Sequence, residues 1–228
     1  MIKMEIEPIG KVLTDFSEKF GIPRQSGRIE EIEGRIELNV PYCSHDYIKG
    51  IEQYSHLWII WGFSKNEQKK KHATVRPPRL GGNARIGVFA SRSPFRPNNL
   101  ALSCVKLKDV IESNGRYELI IGGADMLDGS PVYDIKPYIN YTDCVPEAKS
   151  GFAEENKDYS LKVRGKIELA EILPEKKRTA LMKILADDPR PAYQDDESRI
   201  YGFKYAGFEV KFRVCKDELE IVDIIKIS

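Results

Sequence analysis

Between Arg76 and Ser103 the chain reads RPPRLGGNARIGVFASRSPFRPNNLALS, with five arginines and no carboxylate. A guanidinium group donates two parallel hydrogen bonds from a planar fork, which suits phosphate or another polyanion. Pro77, Pro78, Pro94 and Pro97 restrict the backbone, and Gly81, Gly82 and Gly87 let it approach a ligand closely. Charge that merely solubilises a surface has no need of rigid loops. From Lys65 to Arg96 nine Lys or Arg face one acid, Glu67, a local charge of +8 in a chain of net charge +1. The chemistry to expect is anion binding, with nucleic acid a natural ligand.

Three further segments carry side chains suited to a site. Phe20-Gly21-Ile22-Pro23-Arg24-Gln25 offers planar donors, although by itself it reads as a surface loop between strands. Asp125 to Tyr138 (DMLDGSPVYDIKPY) concentrates Asp125, Asp128, Asp134 and Lys136 around an Asp-Gly turn, which predicts a hairpin. Asp134 and Lys136, two residues apart, share one face of its second strand. Asp188-Pro189-Arg190-Pro191-Ala192-Tyr193 combines a carboxylate, a guanidinium and an aromatic ring on a stiff backbone, a set suited to stacking on and bonding to a flipped base.

Several chemistries are absent. There is no GxxxxGK[ST] phosphate loop, and no GxGxxG follows a strand, which disfavours P-loop and Rossmann enzymes. His45, His56 and His72 have no ligand spacing, so no metal is expected, and His56 reads as a core histidine. Cys43, Cys104, Cys144 and Cys215 form no CxxC pair and read as reduced, buried small hydrophobes of a cytoplasmic protein. No apolar run reaches membrane-spanning length, and MIKMEIEPIG lacks the pattern of a signal peptide.

The elements that must position these groups are mostly strands. Alternating or continuous apolar runs predict Ile2–Ile9, Gly34–Asn39, His56–Phe63, Ile86–Ala90, Leu100–Leu107, Tyr117–Ile121 and Val132–Tyr138, separated by turn residues. Such short strands favour a barrel or sandwich. The gap from Phe63 to Arg85 is too long for a turn and predicts a functional loop or short helix. Residues 145–160 read as a linker. After it come a strand at Leu161–Leu169, a helix at Pro174–Ala186 with Pro174 in its first turn, and two or three strands from Ile200 to Ile227. The expected organisation is an all-β domain over residues 1–144 and a small α+β domain over 161–228.

PRQ at Pro23–Gln25, YSHLW at Tyr54–Trp58, the arginine-rich block, DGSPVYDIKPY and DPRPAY, in that order, resemble the TrmO family of S-adenosylmethionine-dependent tRNA methyltransferases. The resemblance runs to about Tyr193 and weakens through the last strands. It implies a β-barrel methyltransferase unrelated to the Rossmann type, working as a homodimer with the cofactor near the subunit interface. Its reaction would be N6-methylation of threonylcarbamoyl-adenosine (t6A) at position 37 of threonine tRNA, giving m6t6A.

Carried onto this sequence, the cofactor pocket comprises Pro23, Arg24, Gln25, Ser64, Lys65, Arg92, Leu102, Leu127, Asp128, Gly129 and Ser130. Where the family has His-Gln after the third strand, this chain has Ser64-Lys65, and the family's FRPNPIG is FRPNNLA here, Phe95 to Ala101. Under this reading Asp134 or Asp128 takes the N6 proton, and Lys136 or Arg92 stabilises charge building on the ureido group. Arg76, Arg79, Arg85 and Arg96 hold tRNA phosphates, and Asp188, Arg190 and Tyr193 of the C-terminal domain also face the RNA. Two other readings share the basic segment: a non-catalytic RNA-binding barrel, and a methyltransferase of this fold with another RNA or a small molecule as target.

Overall fold

A computed structural model describes residues 4–66, 73–77, 84–190 and 196–227. Arg79 and Tyr193 lie outside them. Twelve strands are described: β1 (Gly10–Leu13), β2 (Glu33–Leu38), β3 (His56–Gly62), β4 (Thr74–Val75), β5 (Ile86–Gly87), β6 (Leu100–Ser113), β7 (Arg116–Gly122), β8 (Ser130–Pro137), β9 (Lys162–Gly165), β10 (Tyr201–Tyr205), β11 (Phe208–Cys215) and β12 (Glu218–Lys226). The helices are α1 (His45–Ile48), α2 (Asn140–Asp143) and α3 (Glu175–Ala186). Among the described residues no helix is long and apolar enough to cross a membrane.

Six strands close into a barrel in the order β1-β2-β7-β6-β3-β8, with β1 pairing antiparallel to both β2 and β8. Closure leaves no edge strand exposed. Alternation decides which side chains fill it: Val12, Ile36, Leu57, Ile59, Val105, Leu119, Ile121 and Val132 point inward and are buried. The long β6 meets β7 in a hairpin whose Asn114-Gly115 turn takes positive φ at both residues, as a type I′ turn requires. Of the strand expected at Ile2–Ile9, the described residues form none, and β1 begins only at Gly10; residues 4–8 are exposed.

The segment Asp125–Asp128 is not part of a hairpin. Strand β7 lies between β2 and β6, whereas β8 lies between β3 and β1. The chain from Gly123 to Gly129 therefore crosses the end of the barrel as a strap. Ala124, Met126 and Leu127 are buried against the barrel contents.

The C-terminal lobe is a four-stranded sheet, β10-β11-β12-β9, with β9 parallel to β12. Helix α3 buries Ala180, Leu181, Ile184 and Leu185, and Pro174 stands just before its first turn. The predicted strand Leu161–Leu169 shortens to β9, followed by a 3-10 helix over Ile167–Ile172. One continuous apolar core runs through both lobes.

The β1–β2 loop makes that continuity. Phe16 packs on Tyr205 with ring centroids 5.4 Å apart, and Phe20 packs edge-on to Phe203 at 6.2 Å. Gly21 takes φ +90°, and a Cβ there would stand 2.3 Å from the Phe203 ring. Around this apolar contact, Lys177 pairs with Asp15, Lys183 with Glu31, and Arg28 with Asp187 at 2.5 Å. The loop read from sequence as surface is a wedge between two lobes. Of the cysteines, Cys43 is buried and Cys104 partly so, but Cys144 and Cys215 are exposed and all four are free thiols, so burial does not account for the last two.

Candidate active site

The arginines of the basic block divide by what their side chains touch. Arg92 Nη1 donates to Gln25 Oε1 at 2.5 Å, joining the block to the β1–β2 wedge. Arg96 turns back on its own loop, donating to the Ser91 carbonyl at 2.6 Å and the Val88 carbonyl at 3.3 Å. Its guanidinium also lies 5.9 Å from the Phe89 ring centroid. Arg96 thus braces the 3-10 turn Val88–Ala90, where the sequence predicted a continuing strand. Arg76 and Arg85 are exposed and line a groove of about 1320 Å³.

That groove runs between the basic block, the Arg24–Arg28 stretch and the segment after the barrel, where Lys149, Phe152 and Lys157 form its far wall. Phe89 stands on its surface at 78% exposure, and Phe95 at 43%. Two aromatic faces among cations in an open groove can hold a polyanionic strand and stack its planar groups. The lysines of the 145–160 segment and both phenylalanines were not among the sequence-derived candidates. An aromatic ring in an arginine-rich loop was the signal that could have found them.

FRPNNLA closes through Asn99. This residue takes φ +56° and its N–H donates to the Arg96 carbonyl at 3.1 Å. Its Nδ2 donates to the Phe63 carbonyl at 2.9 Å, and Phe63 N–H returns a bond to the Asn99 carbonyl at 3.2 Å. A proline here would lack the N–H and could not take that φ. The departure from FRPNPIG therefore gives this loop its own closure. Ser64 and Lys65 follow directly on Phe63 and are exposed; Lys65 Nζ donates to the Ser17 carbonyl at 2.9 Å, and Lys19 bonds to the Lys65 carbonyl.

Arg24 reaches across the lobes. Its Nη2 donates to the Arg190 carbonyl at 2.8 Å and the Asp188 carbonyl at 3.3 Å. Asp188 and Arg190 are buried and paired, Nε to Oδ1 at 3.0 Å, and Tyr159 donates to Asp188 Oδ2 at 3.1 Å. Two of the three RNA-facing candidates in this segment are therefore packed into the lobe junction. Pro23 is buried in a small cleft against Asp187–Pro189.

On the strap, Asp128 N–H donates to the Phe16 carbonyl, and Asp128 Oδ1 accepts Thr14 N–H at 3.0 Å. Leu127 and Ser130 are buried, and the Ser130 hydroxyl has no partner among the described residues. Gly129 takes φ +75° with open space where a Cβ would stand. Asp134 and Lys136 are on the outer face of β8, their side chains open to solvent and paired with each other at 3.2 Å. Leu102 lies opposite Ile60 on the same outer face, 54% exposed.

Asp125 was noted in the sequence as part of a charge cluster and given no role there. In the fold it accepts a 2.6 Å hydrogen bond from Ser103 Oγ, which in turn accepts one from Trp61 Nε1 at 2.9 Å. Burial raises its carboxyl from 3.8 to about 6, although Ser103, the backbone amides of Asp125 and Ser26, and the Arg92 charge all act to lower it. The Ser103 signal was present in LALSCV, where a hydroxyl occupies an inward strand position.

Comparison with known proteins follows this geometry over the whole chain. Residues 11–144 match the family described as tRNA-methyltransferase O N-terminal domain, and residues 158–227 match the TrmO C-terminal domain. The chain is 37% identical to tRNA (adenine(37)-N6)-methyltransferase of Escherichia coli strain K12, over 97% of each chain. It is also 37% identical, over 96% of each chain, to a Pseudomonas aeruginosa protein, RcsF, named for S-adenosylmethionine-dependent methyl transfer. A crystal structure of TrmO from Pseudomonas aeruginosa superposes with a TM-score of 0.79 at 29% identity, covering 99% of this chain and 98% of that one.

Proposed function

The chain belongs to the TrmO family of tRNA methyltransferases, and from that membership we propose that it methylates N6 of t6A at position 37 of threonine tRNA, yielding m6t6A. The coarser reading, an S-adenosylmethionine-dependent tRNA adenine-N6 methyltransferase, is carried by the full-length correspondence to the Escherichia coli enzyme. A nitrogen whose lone pair is delocalised into the purine is a weak nucleophile, so the protein must hold it in line with the methyl donor and take up its proton.

The strap turn fits S-adenosylmethionine. The buried Ser130 hydroxyl, unpartnered among the described residues, and the open space at Gly129 leave a polar atom and room for a ligand. Leu127 and Leu102 supply apolar contact, and Gln25, Arg92 and Asp128 supply polar contact; Pro23 and the Arg24 clamp hold the wedge that presents Gln25. Ser64 and Lys65 complete the set in this reading. The cofactor supplies an electrophilic methyl group. Arg76 and Arg85 contact phosphates along the groove, with the C-terminal lobe forming part of the RNA surface.

The outer face around Leu102 supports a homodimer. Leu102, Ile139, Tyr141 and Val145 are all exposed apolar residues on or beside strands β3, β6 and β8. A second copy covering them would bring the subunit interface to Leu102, hence to the cofactor. In this reading the enzyme works in the cytoplasm. Incubation with labelled S-adenosylmethionine and bulk tRNA, followed by nucleoside mass spectrometry, should give m6t6A. Label on any other nucleoside, or none on tRNA, refutes the finer assignment.

A further inference from the structure

We propose that Asp125 is the proton-accepting residue of the methyl transfer, oriented by a Trp61–Ser103 hydrogen-bond relay that rises from the barrel interior. The proposal rests on the adenine-N6 reading above and deepens it.

Ser103 is 1% exposed, the fourth residue of β6, where the alternation of the strand calls for an apolar side chain. A buried hydroxyl costs free energy unless it is hydrogen-bonded. Trp61 satisfies its acceptor side at 2.9 Å, so the hydroxyl proton points the other way, onto Asp125 Oδ1 at 2.6 Å. Trp61 is itself held by Phe63, with ring centroids 4.7 Å apart. The relay thus fixes one carboxylate oxygen at the barrel end, on the strap that carries the Leu127–Ser130 turn.

The surroundings suit proton uptake. The backbone of Ser26, next to Gln25, and the Arg92 charge from the basic block both favour its ionised form. Gln25 and Arg92 line the groove, the Arg92 charge acts on Asp125, and Asp125 retains partial exposure. Asp128 has one oxygen engaged by Thr14 N–H, and Asp134 pairs with Lys136 on the outside of the barrel. Among the described residues neither is backed by a buried relay. In the reaction N6 forms a bond to the methyl carbon, while the sulfur–methyl bond breaks and its electron pair stays on sulfur. The N6 proton passes to Asp125, which becomes a neutral carboxylic acid and later releases the proton to water. Burial favours that neutral form.

The test combines titration and rate. In the protein alone, 13C NMR of the Asp125 carboxyl should show an inflection near pH 6, and Ser103→Ala should move it upward, because the hydrogen bond it removes favours the ionised form. Ser103→Thr should restore it. Single-turnover methylation by the wild type should rise about tenfold per pH unit below that inflection and level off above it. Asp125→Asn should bind S-adenosylmethionine normally by calorimetry yet transfer about 10²–10⁴-fold more slowly, with no inflection near 6. If the wild type methylates tRNA and Asp125→Asn keeps its rate within twofold and the same inflection, this proposal alone is overturned. A wild type that methylates no tRNA overturns the adenine-N6 reading and this proposal together. Should Asp125→Asn not fold, Ser103→Ala must shift the rate profile in step with its NMR inflection, and an unshifted profile refutes the role.

Discussion

Nη2 of Arg24 donates to the carbonyl oxygen of Arg190 at 2.8 Å, joining residues 166 apart in the chain. The bond ties the β1–β2 wedge to the turn after α3, where Asp188 takes φ +54°. It makes the geometry of the groove wall depend on how the two lobes are docked. Arg24→Ala removes a charged donor from two carbonyls, and should lower stability by about 1.5–3 kcal/mol in urea unfolding. Faster amide exchange should appear in both lobes, since neither half of the contact stands alone.

Phe89 should behave in the opposite way. At 78% exposure it contributes little to the core. Phe89→Ala should change stability by less than about 0.5 kcal/mol. If the ring stacks on RNA, affinity should fall by about 1–3 kcal/mol in a filter-binding titration. Unchanged affinity would remove Phe89 from the RNA surface.

Arg85 and Arg96 should separate in a salt series. Arg85 is exposed in the groove, while Arg96 donates to its own loop. Arg85→Ala should reduce the slope of log affinity against log salt by about 0.7–0.9 for each phosphate that the arginine neutralises. Arg96→Ala should instead loosen the Val88–Ala90 turn and lower stability by about 1–2 kcal/mol.

Asn99→Pro should be poorly tolerated. The native φ of +56° and the N–H bond to Arg96 are both denied to proline. A loss of about 3 kcal/mol or more is expected in thermal melting. Asn99→Gly, which takes positive φ without strain but loses the Nδ2 bond to Phe63, should cost about 1 kcal/mol.

The acid limb of the stability curve should report the lobe junction. The Lys183 hydrogen bond and charge hold the Glu31 carboxyl below its ordinary value of 4.5, against opposing burial. A depressed folded-state pKa gives stability that is present above 4.5 and lost as the pH falls below it. Lys183→Met should therefore weaken the folded state by about 1 kcal/mol at pH 7 and flatten the decline below about pH 4.5, measured as the urea midpoint.

Much of the barrel was legible because period-two alternation is local. The strands His56–Gly62, Arg116–Gly122 and Ser130–Pro137 fall within two residues of their apolar runs. Helix α3 was equally plain, from Pro174 at its start and one apolar face. The misreadings share a cause. Asp128-Gly129 carries the residues of a hairpin turn, and nothing local says that β7 and β8 pair with other strands. Val88–Ala90 is apolar enough for a strand, yet Arg96 ties it into a 3-10 turn from six residues away. Gly21 looked like loop glycine until Phe203, far along the chain, came to occupy its missing side chain.

By itself the sequence determined five of the six barrel strands, missing β1, together with the order of the motifs and, through them, the family. It also determined that the basic charge is concentrated in one block, because composition and alternation act over a few residues. Which arginine braces a loop and which faces a ligand was decided only by tertiary structure. So were the buried Asp188–Arg190 pair, the outward Asp134–Lys136 pair and the Trp61–Ser103–Asp125 relay. Closing the barrel sets which side chains face inward together, and docking the second lobe sets which charges lose their water. The chemistry of a carboxylate or guanidinium depends on that burial and those partners, and both come from residues far apart in the chain.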